Sequence, residues 1–244
     1  MDFTIEKYRQ LLAALKSHKN FSIKHDVDNR PLFSLRIAEL ESSMDIQTSY
    51  YFRSKDFTTH AETIRAIARM GHTIGYHYEN LATCNGDIKT AFDDFCLQLE
   101  QLRKITPVST ACAHGSPLSR YDNQELWNHY DIHTLGIDFE PMLDTDFRHT
   151  LYLTDTGRRW DGQSVSVRDK APQSPILSLT ATFSHTDDII HAINDLNHPI
   201  HRYSLLVNTH PQRWMPFGPQ WLKELLLQRT KNIIKRIIVK KSQP

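Results

Sequence analysis

Apolar positions along the chain switch repeatedly between a helical and an extended period. Ile5, Tyr8, Leu12 and Leu15 recur at helical spacing, and the short run Phe21-Ser22-Ile23 that follows reads as extended. Leu32, Leu35 and the apolar positions from Ile37 to Leu40 predict a second helix, opened by Pro31, whose fixed φ suits a first turn. Residues 48–52 are rich in β-formers and predict a strand. Ala61, Ile64, Ile67 and Ala68 mark a helix that Gly71 terminates. A strand over 73–77, a helical stripe of Ile88, Ala91, Phe92, Phe95, Leu99 and Leu102, and a short strand over 109–113 continue the pattern. Beyond Trp127 the regularity weakens, and 138–150 and 154–175 read as loops. A strand over 176–179, a helix over 187–196, a strand over 203–208 and a helix from Pro219 towards residue 238 complete the series.

Repeated strand-then-helix units predict an α/β fold on a parallel sheet, either wound open or closed into a barrel. No internal repeat or flexible linker interrupts the chain, so residues 1–244 read as one domain. The 29 basic residues nearly balance the 28 acidic ones, which argues against a general nucleic-acid binder. No apolar run approaches the ~20 residues of a membrane span. The first fifteen residues carry Glu6, Lys7 and Arg9 and lack the features of a secretory signal, so a cytoplasmic protein is expected. Cys84, Cys96 and Cys112 are odd in number and without CxxC spacing, as expected of reduced structural thiols.

The polar residues change the picture. In parallel α/β folds, working residues gather where strands run into loops. Four predicted strand ends carry polar clusters: His25-Asp26-Val27-Asp28, the run from Gly71 to Glu79, Ala113-His114-Gly115-Ser116-Pro117, and Asn208-Thr209-His210-Pro211. Extended geometry places Asp26 and Asp28 on one side. Carboxylates with imidazoles suit Zn²⁺ or a similar divalent ion, which at a catalytic site needs about three protein ligands and an open position. Blander readings stand beside these: the aspartates as helix caps, His77 as a core histidine, His210 as a loop residue.

His25-Asp26-Val27-Asp28 resembles the opening Asp-Asp motif of the polysaccharide deacetylase (NodB-homology) superfamily. Gly71-His72-Thr73-Ile74-Gly75-Tyr76-His77 is similar to that family's GHEIGNH segment, and Asn208-Thr209-His210 to its late Leu-x-His motif. The stretch from Thr154 to Asp161, with Asp155 and Trp160, stands where the family carries an Asp- and Trp-containing motif. The resemblance covers roughly residues 20–215 and implies a distorted (β/α)7 barrel of NodB type. It implies Asp26 as general base, His210 as general acid, and Asp28 and His77 as ligands of a divalent metal, with Zn²⁺ the expected ion. Two departures matter. Val27 separates the two aspartates, and Leu81 occupies the position of the family's second histidine, so a third ligand comes from elsewhere. His114 is the first choice, Glu79 the second and His72 the third.

Substrate contacts are expected from Glu79, Arg120, Tyr121, Asp155, Arg159, Trp160 and Arg213, with Arg158 and Trp214 as neighbours of the same kind. Guanidinium forks match phosphate or sugar-acid oxygens, and the indoles either stack on a sugar or belong to the core. The activity implied is metal-dependent removal of an N-acyl group, acetyl or the closely similar formyl, from an amino-sugar precursor of a bacterial surface glycan, nucleotide- or lipid-linked. A metal-free amide or ureide hydrolase on the same barrel and a non-catalytic carbohydrate-binding protein remain open.

The helix over 219–241 ends in a segment from Arg229 to Lys241 with six basic residues, no acidic ones, and Ile233, Ile234, Ile237, Ile238 and Val239. Such a segment either contacts an anionic inner-membrane surface or docks with a solvated basic face.

Overall fold

Strands and helices follow one another as the periodicities require. The computed structural model describes residues 1–160 and 183–241, the side chains of 229 and 233–241 excepted. The chain divides into two compact units, one of Met1–Lys24 with Asp146–Pro244 and the other of His25–Thr145. It begins in the first, passes into the second at residue 25 and returns at residue 146.

α1 (Ile5–Leu15) is capped by Thr4, whose hydroxyl accepts from the Lys7 N–H at 3.1 Å, one of the four donors a helix start leaves open. Its buried face is Tyr8, Leu11, Leu12, Ala14 and Leu15. β1 (Phe21–Val27) then carries the chain into the second unit.

In the second unit, α2 (Pro31–Ser42) starts with proline in its first turn, after Arg30 in the left-handed region. β2 (Ser49–Phe52), α3 (Ala61–Arg69) and β3 (Thr73–Tyr78) follow, then the single turn α4 (Asn80–Thr83), α5 (Ile88–Arg103), β4 (Ala111–Ala113) and the single turn α6 (Pro141–Asp144). Gly71, at φ +90°, closes α3 with its N–H on the Ala68 carbonyl, a conformation that side-chain-bearing residues rarely adopt. The end of β1 is followed across the sheet by β2, β3 and β4. The β2–β3 and β3–β4 pairs are parallel, with Phe52 opposite Tyr76 and His77 opposite Cys112. Tyr76, Tyr78 and Phe95 pack ring on ring beneath, with Trp127 edge-on to Phe95 at 4.8 Å.

Back in the first unit, β5 (Thr150–Thr154) pairs in parallel with β6 (Ser204–Thr209), Leu151 opposite Leu205 and Thr154 opposite Asn208. β6 neighbours β1, whose approach is fixed by the Leu205 N–H donating to the Asn20 carbonyl at 3.0 Å. α7 (Thr186–Asn194) buries Ile189, Ala192 and Ile193 and packs on α1. Phe3, Tyr8 and Trp214 form an aromatic cluster that Trp160 joins. α8 (Pro219–Lys241) ends the described chain.

The α/β class expected from the sequence is the class of the structure. β5 was not expected. Thr150 and Tyr152 are half-buried and Leu151 and Leu153 lie inside, but the alternation is too short to stand out between polar loops. The strand expected over 176–179 lies outside the described residues. Among the described residues, no helix is long and apolar enough to cross a membrane.

Candidate functional site

The pleat of β1 turns successive side chains to opposite faces. His25 faces inward, where its Nε2 lies 2.9 Å from Glu41 Oε1 and its ring stacks on Tyr50. Asp26 is thereby turned the other way, and Asp28 follows in the loop beyond the strand. From the C-terminal end of β3 comes His77, and just after β4 comes His114.

These side chains meet in the second unit. Asp28 Oδ1 lies 3.3 Å from His77 Nε2 and 3.5 Å from His114 Nε2. Ligand atoms of Asp28, His77 and His114 all fall within 4.8 Å of one another. The other nitrogen of each ring is committed. His77 Nδ1 stands 2.9 Å from the Cys112 carbonyl, and His114 Nδ1 stands 3.0 Å from Glu79 Oε2. Carbonyl and carboxylate oxygens only accept, so His77 Nδ1 donates to Cys112, and the Glu79 carboxylate favours a donating Nδ1 in His114, which also lies 3.1 Å from the Ser116 hydroxyl; a neutral ring then presents the Nε2 lone pair to Asp28. Two lone pairs facing one carboxylate oxygen repel unless a cation or proton lies among them. The donor set of two imidazoles and one carboxylate, each imidazole oriented by an acceptor behind it, fits a divalent ion of the zinc type.

Asp26, His77 and Cys112 form a second group of the same kind, buried throughout and sharing His77. Glu79 does not stand alone: Arg53 donates to its Oε1 through Nε at 2.8 Å and Nη2 at 2.5 Å. Burial works to raise the Glu79 carboxyl, but hydrogen bonds from His114 and Arg53 outweigh it and hold the pKa at about 2. The His114 turn is held by Asn123, whose amide donates to the His114 carbonyl at 2.6 Å and to Ser116 Oγ at 3.1 Å. Leu81 is 1% exposed on α4 and packs as core. His72 is spent elsewhere, on Thr48 and the Ala38 carbonyl.

A separate constellation lies in the first unit. Asp155, just past β5 and 0% exposed, receives four donors. His210 Nδ1 lies 2.6 Å from its Oδ1 and the His210 N–H donates to Oδ2 at 3.0 Å. Arg213 Nη1 donates to Oδ1 at 2.6 Å, and Trp214 Nε1 to Oδ2 at 2.9 Å. The carboxylate therefore fixes His210 Nδ1 as a donor, with Nε2 as the ring's other nitrogen. Asp155 and Arg213 hold His210 and each other.

Of the other expected substrate contacts, Arg120 is exposed and lies over the Tyr121 ring at 4.8 Å. Arg159 is partly exposed, whereas Trp160 is buried, its Nε1 donating to Thr186 Oγ1. Arg53 and Asn123 were not anticipated. Arg53 follows β2 directly, a strand end like the others, and that position is a usable signal. Asn123 sits in an aperiodic stretch and gives none.

No protein-family model matches the chain, and no curated protein sequence does. Among solved structures, a Streptococcus mutans CE4 esterase is similar at 13% identity, covering 100% of this chain and 90% of its own, with a TM-score of 0.48. The peptidoglycan deacetylase PdaC from Bacillus subtilis is similar at 14% identity, 90% and 96% coverage and a TM-score of 0.44. BA3943, a CE4 family pseudoenzyme from Bacillus anthracis, is similar at 12% identity, 89% and 62% coverage and a TM-score of 0.43.

Proposed function

We propose that the chain is a divalent-metal-dependent hydrolase that cleaves the amide of an N-acetylated amino sugar. The observation that carries this is the presentation of two imidazole Nε2 atoms to one Asp28 oxygen, with both Nδ1 atoms committed to fixed acceptors. The deacetylase-like motifs around His25, Gly71 and Asn208 support it.

Asp28, His77 and His114 would hold the ion, which when bound lowers the pKa of water towards about 7 and polarises the amide carbonyl. Asp26 takes the proton of the attacking water as its oxygen adds to the acyl carbon. The amide nitrogen takes up a proton as the C–N bond breaks, releasing acetate and a free amine; the general acid expected from the Asn208-Thr209-His210 motif is His210, whose Nδ1 faces Asp155. Glu79 and Asn123 keep His114 in place. The substrate in this reading is a nucleotide- or lipid-linked sugar used in surface-glycan assembly, and Zn²⁺ is the ion.

The test is metal analysis of the purified chain together with acetate release from N-acetylated sugar nucleotides. One equivalent of metal, activity lost to a chelator and restored by Zn²⁺, and inert Asp26→Asn and His210→Ala variants are expected. Full turnover by chelated, metal-free protein would remove the metal reading, and unchanged turnover in Asp26→Asn would remove the base.

A further inference from the structure

The first unit holds a cavity of about 500 Å³, within the range of roughly 300–1,000 Å³ typical of small-molecule sites. One wall is α8, where Trp221, Leu225, Gln228 and Asn232 follow at helical spacing and face inward together. Phe3 adds an aromatic surface, and Arg158 and Arg159 enter from the turn after β5. The Asn232 amide donates to the Gly157 carbonyl at 2.8 Å and fixes α8 to that turn.

Arg158 is the unusual member. It is 7% exposed, and its Nη2 donates to the Arg213 carbonyl at 3.0 Å, but its Nη1 is buried with no hydrogen-bond partner among the described residues. A guanidinium keeps its proton in proteins, so a buried one must find compensation for the water it has lost. The Trp221 ring, 6.0 Å from its Cζ, supplies only a weak cation–π contact. Asp2, the acidic residue of the cavity wall, has its oxygens engaged by the Phe3 N–H and by Thr186. Arg158 also sits at φ +55°, a left-handed conformation that a side-chain-bearing residue adopts at a cost. The charge of Arg158 is offset through space by Asp155, Glu224 and Asp2, but none of these hydrogen-bonds its Nη1, so the fold holds a strained, buried cation at a cavity with polar walls and one apolar, aromatic side formed by Phe3, Trp221 and Leu225.

We propose that this cavity binds a small organic oxyanion, a carboxylate or phosphoryl group on an apolar ring, with Arg158 Nη1 as the charged donor and Trp221, Phe3 and Leu225 around the ring. The site lies wholly in the first unit and uses none of the metal-donor residues, so it stands whether or not the hydrolase reading does.

Calorimetry on the full chain tests it with four probes: benzoate, phenyl phosphate, inorganic phosphate and the neutral control phenol. Saturable one-to-one binding of benzoate or phenyl phosphate is expected, with phenol and inorganic phosphate at least about tenfold weaker, the scale of one charged hydrogen bond. Which ring-bearing probe binds tighter tells carboxylate from phosphoryl recognition. Arg158→Gln should weaken the better probe by about tenfold or more. Because removing a buried cation can unfold the chain, Leu225→Trp fills the chamber from α8 with Arg158 intact, and it should abolish binding with the circular dichroism spectrum preserved. His77→Ala should bind as wild type. No binding of either ring-bearing anion at millimolar concentration, phenol binding as tightly, or an undiminished affinity in a folded Leu225→Trp would overturn the proposal.

Discussion

Orientation of a ring nitrogen is the smallest decision on which the proposed chemistry turns. His114 Nδ1 faces Glu79 Oε2 at 3.0 Å, and Glu79 is itself pinned by Arg53, so the ring can neither flip nor change tautomer cheaply. At a carboxyl pKa of about 2, Glu79 is an anion across the neutral range and strengthens the donor character of Nε2. Glu79→Ala is expected to lower metal affinity by about 10–100-fold with the fold retained, measured by competition with a chromophoric chelator. An unchanged affinity would mean that His114 does not ligate. Asp155 is set by the same balance of burial against partners. Burial pushes its carboxyl up, yet Arg213 and His210 together hold it below the ordinary value of 3.8. A carboxyl depressed in the folded state contributes stability that is complete above its unfolded pKa and disappears as pH falls through the folded one. The stability lost in Asp155→Asn should therefore be largest near neutrality and shrink below about pH 4. Urea midpoints across that range measure it, and a penalty constant from pH 7 to pH 3 would contradict the depressed pKa.

Elements carry these residues to their places, and the second unit shows how one polar side chain can bind several. Glu41 on α2 is fully buried and accepts from His25 of β1, from Thr48 just before β2 and from Tyr50 within β2, at 2.9, 2.8 and 2.6 Å. Low dielectric makes such a network strong when complete and costly when broken. Glu41→Ala takes the acceptor from three buried donors and should cost about 3 kcal/mol or more in chemical denaturation, at ~1–3 kcal/mol per unsatisfied group. Glu41→Gln keeps one acceptor oxygen and should cost distinctly less; equal losses would show that volume rather than hydrogen bonding is at stake. The same elements show what the sequence could convey. α5 was legible because Phe95, Leu99 and Leu102 repeat at helical spacing, and all three are buried. α3 was legible because Gly71 ends it. β5 escaped because five residues of alternation beside polar loops carry too little period to separate from chance. The polar strand-end clusters contained Asp28, His77 and His114, whose ligand atoms the structure brings within 4.8 Å of one another, but Asn123 is positioned by tertiary packing alone and has no local signature. His25 looked like part of the polar cluster, although strand alternation, applied to it as it was to the aspartates, turns it to the opposite face.

At the scale of the whole molecule, a metal bound only by the folded chain must appear in its stability. Asp28, His77 and His114 are far apart in sequence, so the unfolded chain offers the ion no comparable set of donors, and binding free energy becomes folding free energy. At a free metal concentration 100 times the dissociation constant, the gain is about 2.7 kcal/mol. For a chain of 244 residues each kcal/mol moves the midpoint by ~2–4 °C. Zn²⁺ added to chelator-stripped protein should therefore raise Tm by roughly 5–11 °C. His77→Ala removes the ligand shared by both donor groups and should abolish the rise, whereas Cys112→Ser removes a ligand only from the Asp26 group. If Cys112→Ser keeps the full rise, the ion belongs with Asp28 and His114, and Asp26 remains available as base. If Cys112→Ser loses it, the ion sits with Asp26, and that carboxylate can no longer take the proton from water.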